Sequence, residues 1–194
     1  MNRTTILNSL IDKTKAKKYL EIGVSAGDNF RDIRCQYKIG VDPEPYSPAT
    51  LHLTSDEFFD FNKETFDIIF VDGLHISEQV SKDIENSLSI LNDGGYIVAH
   101  DLHPWSEEAQ IVPYRGGAWT GDCWKSFVKL RQTRSDLEMF VIDVDCGCGV
   151  IRKGSQVPII IDCELNYENF EKNKKEWLNL VSYQQFEQYL NGQV

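Results

Sequence analysis

Lys18–Gly27 reads KYLEIGVSAG. A short apolar run stopped by glycine is the pattern of a buried strand, and the turn after it opens into a short helix over Asp28–Cys35. The alternation then repeats. Tyr37–Asp42 (YKIGVD) is a second strand stopped by Asp42-Pro43, and Leu51–Thr54 is a short third. A helix follows at Ser55–Phe61. Phe66–Asp72 (FDIIFVD) is β-branched and aromatic and ends on an acid, the strongest strand signal in the chain. Ser77–Leu91 sets Val80, Ile84, Leu88 and Leu91 on one helical face, with Ser77 as N-cap and Gly94-Gly95 as the exit. Gly95–Asp101 (GYIVAHD) is the next buried strand.

Strand and helix in alternation imply a parallel sheet with helices on both faces. The pattern changes at His103–Asp122, where Pro104, Pro113 and Gly116-Gly117 break regular structure. A loop of this length is usually functional or disordered. Its Trp105, Tyr114 and Trp119 suit stacking on a sugar or aromatic ring, or packing on the sheet edge, and Arg115 suits an anion. Asp122–Arg134 is helical. Leu137–Val144 and Gly147–Lys153 are too close in sequence for a parallel crossover, so they form an antiparallel hairpin. The expectation is one α/β domain: a mostly parallel seven-stranded sheet closed by a C-terminal hairpin over residues 1–161. Residues 162–194 form a helical appendage docked through Phe170, Trp177 and Leu178.

The 194 residues carry 20 Lys+Arg against 30 Asp+Glu, a formal charge of -10. That balance counts against a nucleic-acid partner, which would need a basic face. No apolar run reaches the roughly 18 residues of a membrane span. The basic N-terminus lacks the apolar region of a secretory signal. The five cysteines (35, 123, 146, 148, 163) form no CxxC pair, so a zinc ribbon or disulfide framework is not indicated and a reducing cytoplasm is the expected setting. Cys146-Gly147-Cys148 reads as a structural turn.

Three constellations carry candidate chemistry. Glu21-x-Gly23-x-x-x-Gly27 lets a ligand approach the backbone closely, while its acid suits a cation better than a phosphate. The alternative is an ordinary strand-to-helix turn. Asp42 stands 21 residues beyond Glu21, where an acid accepts hydrogen bonds from ribose hydroxyls or simply caps a turn. Asp72, His75, His100 and Asp101 fall at or just beyond the ends of two strands expected to be neighbours. Two carboxylates and an imidazole would suit a divalent cation, with capping and core packing as the plainer readings.

Glu21-x-Gly23-x-x-x-Gly27, Asp42, Thr54-Ser55-Asp56, FDIIFVDGLH and LNDGGYIVAHD together resemble the class I S-adenosylmethionine-dependent methyltransferases over residues 17–153. The resemblance implies a Rossmann-like fold and S-adenosylmethionine as cofactor. Glu21, Gly23, Val24, Ser25 and Gly27 would cradle its methionine part, Asp42 its ribose, and Ser55 and Asp56 its adenine, with Asp72 also among the cofactor-binding residues. The third constellation is similar to the metal-dependent catechol and macrolide-sugar (macrocin) O-methyltransferases. This implies Asp72, His100 and Asp101 as ligands of Mg²⁺ or Mn²⁺, and His75 with Asp72 as the catalytic pair, His75 being the general base. His100 stands where that branch usually has an acid, which counts against Mg²⁺ and leaves Mn²⁺ or no metal open, with His103 as an alternative ligand. The implied acceptor is a small molecule, a sugar or sugar-containing intermediate, methylated on a hydroxyl. Metal-free methylation on nitrogen or oxygen stays open, as does a non-catalytic or NAD-type nucleotide-binding protein. The N-terminal arm and helical tail are candidates for a homodimer contact.

Overall fold

The computed structural model describes residues 1–192, so the last two residues of the expected tail lie outside it. The chain opens with helix α1 (Arg3–Thr14), where the sequence suggests only an arm. Asn2 caps it, and Ile6, Leu7 and Leu10 are fully buried against the sheet. Then come β1 (Lys18–Ile22), α2 (Asp28–Asp32), β2 (Tyr37–Val41), α3 (Ser55–Phe61), β3 (Phe66–Val71), α4 (Ser77–Ser89) and β4 (Leu91–Ala99). After the long loop come α5 (Trp124–Thr133), β5 (Leu137–Ile142), β6 (Cys148–Lys153), α6 (Tyr167–Trp177), β7 (Leu180–Val181) and α7 (Tyr183–Leu190).

The seven strands lie in the order β2-β1-β3-β4-β6-β5-β7. Only β6 runs against the others, pairing antiparallel with both β4 and β5. The count of seven agrees with expectation, but one member differs. Leu51–Thr54 makes only an isolated bridge to Val41, because the segment is cut short by Thr54, which already caps α3. The seventh strand is the two-residue β7, parallel to β5, which the sequence hid inside a helical tail. Core packing continues into that tail. Phe170 and Trp177 stack around the buried Trp124 of α5, with ring centroids 4.5 and 6.1 Å away.

Two helix boundaries also differ. Ser77 is the first residue of α4 rather than its cap, and Gly94-Gly95 lie within β4 rather than at the helix exit. A Cβ on Gly95 would sit 2.5 Å from the Asp67 carbonyl oxygen, where the β3–β4 register shifts. The missing cap is supplied from 45 residues away: Asp122 accepts from the buried Ser77 N–H at 2.8 Å. Asp122→Ala is therefore expected to lower unfolding free energy in urea by about 1–2 kcal/mol. Asp122→Asn, which keeps an acceptor, loses less.

Register decides where chemistry can occur. Val41 pairs with Ile22, Ile22 with Val71, and Val71 with Ala99. Four strands thus end in one row, and the residues that follow them (Asp42, Gly23, Asp72 and His100) form a single rim. The strand order reverses between β1 and β3, the crevice where open α/β sheets bind ligands.

Candidate active site

A cleft of about 1160 Å³ opens on this rim. Single drug-sized ligands occupy roughly 300–1,000 Å³, so there is room for a cofactor and a small acceptor. The Glu21–Gly27 turn forms one wall. Asp42 Oδ2 accepts from the backbone N–H groups of Val24 and Ser25 at 2.9 and 2.7 Å, and Oδ1 from Glu44 N–H at 2.9 Å. Asp42 therefore holds the turn in shape, and its Oδ1 keeps an acceptor site to spare. Glu21 is buried and accepts from the Tyr19 hydroxyl and the Asn29 amide. Burial pushes its carboxyl up to about 7, against the opposing pull of those two bonds. Ser55 and Asp56 start α3 on the cleft's edge, where both accept from the Gln79 side-chain amide.

Asp72 lies at the cleft floor. Its Oδ1 is 3.4 Å from His75 Nε2 and 3.3 Å from His100 Nδ1, and its Oδ2 is 2.7 Å from Arg3 Nη1. Burial alone would raise its pKa, but His100, His75 and Arg3 outweigh burial and hold it well below the usual carboxylate range. His75 spans to Asp101, with Nδ1 3.2 Å from Oδ2. Burial favours its neutral form, yet the two carboxylates win and raise its pKa. The His100 ring is almost wholly buried, 3.3 and 3.2 Å from Asp72 and Asp101. Its nitrogens lie off the line a hydrogen bond needs, so charge and not a directed bond pairs them. Burial again opposes protonation, and the two carboxylates again raise the pKa, here strongly.

Ser25, Asp101, Asp145 and Cys146 all line the cleft with positive φ, between 49° and 62°. Strained backbone of this kind clusters at functional sites. The loop 103–122 closes one side. Trp119 stacks on His75 at 5.5 Å and 26°, and Tyr114 packs on Trp119. Trp105 lines the cleft half-exposed.

The sequence suggests Asp72, His100 and Asp101 as metal ligands, with His103 in reserve. The side chains that offer convergent ligand atoms are instead Asp72, His75 and Asp101, within 4.8 Å of one another. His103 is no ligand candidate here: it bonds Asp143 at 2.9 Å and packs on Phe170. Those distances would admit an ion, but the charges around them do not fit one. Arg3 occupies Asp72 Oδ2, and the His100 ring edge faces the Oδ1 atoms of both aspartates. The sequence reading missed two residues, Arg3 and Asp145. Arg3 Nε and Nη2 reach Asp145 at 3.0 and 3.3 Å. An Asp before Cys146-Gly147 reads only as a turn residue, and Arg3 has no local signal at all.

A family model described as a methyltransferase domain matches residues 44–102. The fold matches an assigned O-methyltransferase from Klebsiella pneumoniae at TM-score 0.60, with 14% identity over 79% of this chain and 80% of that one. The chain has the class I methyltransferase fold, and residues 44–102 match a methyltransferase domain. An O-methyltransferase from Bacillus cereus solved with S-adenosylhomocysteine superposes on this chain at TM-score 0.56, with 15% identity over 77% of this chain and 78% of that one. The O-methyltransferase of tomaymycin synthesis from Streptomyces achromogenes, solved with S-adenosylmethionine, gives 0.56 and 15% over 77% and 79%. A search of curated proteins gives no match. Among the described residues, no helix is long and apolar enough to cross a membrane.

Proposed function

We propose that the chain transfers a methyl group from S-adenosylmethionine to a hydroxyl of a small molecule, with His75 as general base. The observation that carries this reading is the register-locked row of strand ends, which sets the glycine turn beside the Asp72–His75–Asp101 group. Bound S-adenosylmethionine supplies an electrophilic methyl on a cationic sulfur. The glycine turn, without side chains at Gly23 and Gly27, suits close approach of such a ligand, and the acid-rich wall suits its charge. Asp42, Ser55 and Asp56 are assigned to the ribose and adenine. His75 accepts the hydroxyl proton as the oxygen attacks, and Asp72 and Asp101 stabilise the imidazolium that forms. Trp119 stacked on His75 holds the ring in place and offers a face for the acceptor.

A neutral sugar-like ring is the acceptor we favour. Among the described residues, eight Asp or Glu side chains line the cleft and Arg3 is its only Lys or Arg, so a phosphorylated acceptor would be repelled. The five free thiols suit a reducing cytoplasm.

Calorimetric titration with S-adenosylhomocysteine tests the central claim. Saturable binding is expected, and its absence would overturn the reading. Glu21 adds a sign to the same measurement. Its raised pKa keeps it protonated below about 7, while a sulfonium favours the carboxylate. S-adenosylmethionine affinity is therefore expected to rise as pH rises through 7, with proton release on binding on the acid side. Glu21→Gln abolishes the slope. A flat profile in the wild type would remove Glu21 from the site.

A further inference from the structure

We propose that Arg3 is the resident counter-charge of the acceptor site: clamped between Asp72 and Asp145, it supplies the positive charge a divalent ion would bring, so the site works without a metal. This rests on the cleft being a methyl-transfer site.

Three carboxylates converge here, Asp72, Asp101 and Asp145, and such a group is costly without nearby positive charge. Arg3 contributes a permanent one, since a guanidinium does not deprotonate in proteins. Its geometry is that of a built clamp. The Arg3 backbone N–H donates to Asp145 Oδ2 at 2.8 Å and Nε to the same oxygen at 3.0 Å. Nη2 reaches Asp145 Oδ1 at 3.3 Å, and Nη1 reaches Asp72 Oδ2 at 2.7 Å.

Both ends of the clamp are fixed. The Asn2 cap and the fully buried Ile6, Leu7 and Leu10 set the position of α1. Asp145 is held at φ 49° in the hairpin turn between β5 and β6. An ion binding Asp72 through Oδ2 would have to break the shortest of these charge-assisted bonds and sit beside a cation. Through Asp72, Arg3 also acts at a distance of one residue on His75, which makes it a positioning residue.

The test is a Mn²⁺ titration followed by electron paramagnetic resonance, with and without S-adenosylhomocysteine. Wild type is expected to show no site filling below about 1 mM. Arg3→Met, which uncovers Asp72 and Asp145, is expected to bind Mn²⁺ at least about tenfold more tightly. Adding Asp72→Asn should remove the gain. Stoichiometric Mn²⁺ in the wild type at micromolar concentration would overturn the proposal. So would an Arg3→Met protein with intact S-adenosylhomocysteine binding and no gain in Mn²⁺ affinity. If Arg3→Met does not fold, the wild-type titration decides alone. Calorimetry with S-adenosylhomocysteine on the same samples separates the two readings, because its failure would sink the transferase assignment and leave the metal result standing.

Discussion

Gly23→Ala is expected to abolish S-adenosylhomocysteine binding and to cost about 2–5 kcal/mol of stability. Two effects combine. Gly23 has φ +87°, a conformation that side chains adopt only under strain. The added Cβ would also lie 2.0 Å from the Asp72 carbonyl oxygen and 2.7 Å from the Gly73 Cα. Those are backbone atoms that cannot swing aside. Gly23 N–H bonds Val41 and Asp72 N–H bonds Ile22, each at 2.8 Å, so relief would need the β1–β2 or β1–β3 pairing to open. Either movement displaces the turn or the Asp72 floor. Gly94→Ala is the control. It has φ +77° and no atom within 4 Å of the new Cβ, so only strain of about 1 kcal/mol is expected, with binding unchanged. Urea unfolding and calorimetry on both variants separate clash from strain. A Gly23→Ala protein that binds as wild type does would show that the turn is not pinned by Asp72.

The contrast between legible and hidden features follows from the range of the forces involved. Strands β1, β3 and β4 could be read because their apolar runs are local and are stopped by local breakers. Helix α3 has the expected bounds, and the Thr54–Glu57 capping box that starts it lies within one turn. Distant partners defeat such reading. The cap on Ser77 comes from Asp122, and β7 exists only because two residues find an open edge on β5. The site divides the same way. Spacing placed Asp72, His75 and Asp101 at neighbouring strand ends, but it cannot say where side chains point. Asp101 has left-handed backbone and meets His75 in the cleft, while the almost wholly buried His100 packs against Asp72 and Asp101 at its edge. Arg3 lies 69 residues from Asp72 on a helix with no motif, and only the folded packing of α1 brings it to the site.

His75→Ala is expected to lower methyl transfer by about 10²–10⁴-fold while leaving S-adenosylhomocysteine affinity near wild type. The pH profile carries the sharper test. A base must be neutral to accept a proton, and the carboxylates of Asp72 and Asp101 hold His75 protonated beyond its ordinary range. The rate should therefore climb with pH through a limb centred above 6.5. Removing one carboxylate weakens that hold, so Asp101→Asn should move the limb to lower pH. Linkage gives the matching stability sign. Because the folded pKa is raised, the His75 pairing contributes fully below the unfolded pKa and is lost as pH rises through the folded value. Stability and turnover should thus change in opposite directions over the same interval. The proposed methyl transfer would be fastest where this part of the fold is least reinforced. A rate limb at or below 6.5, or one that persists unchanged in His75→Ala, would assign the proton to another group.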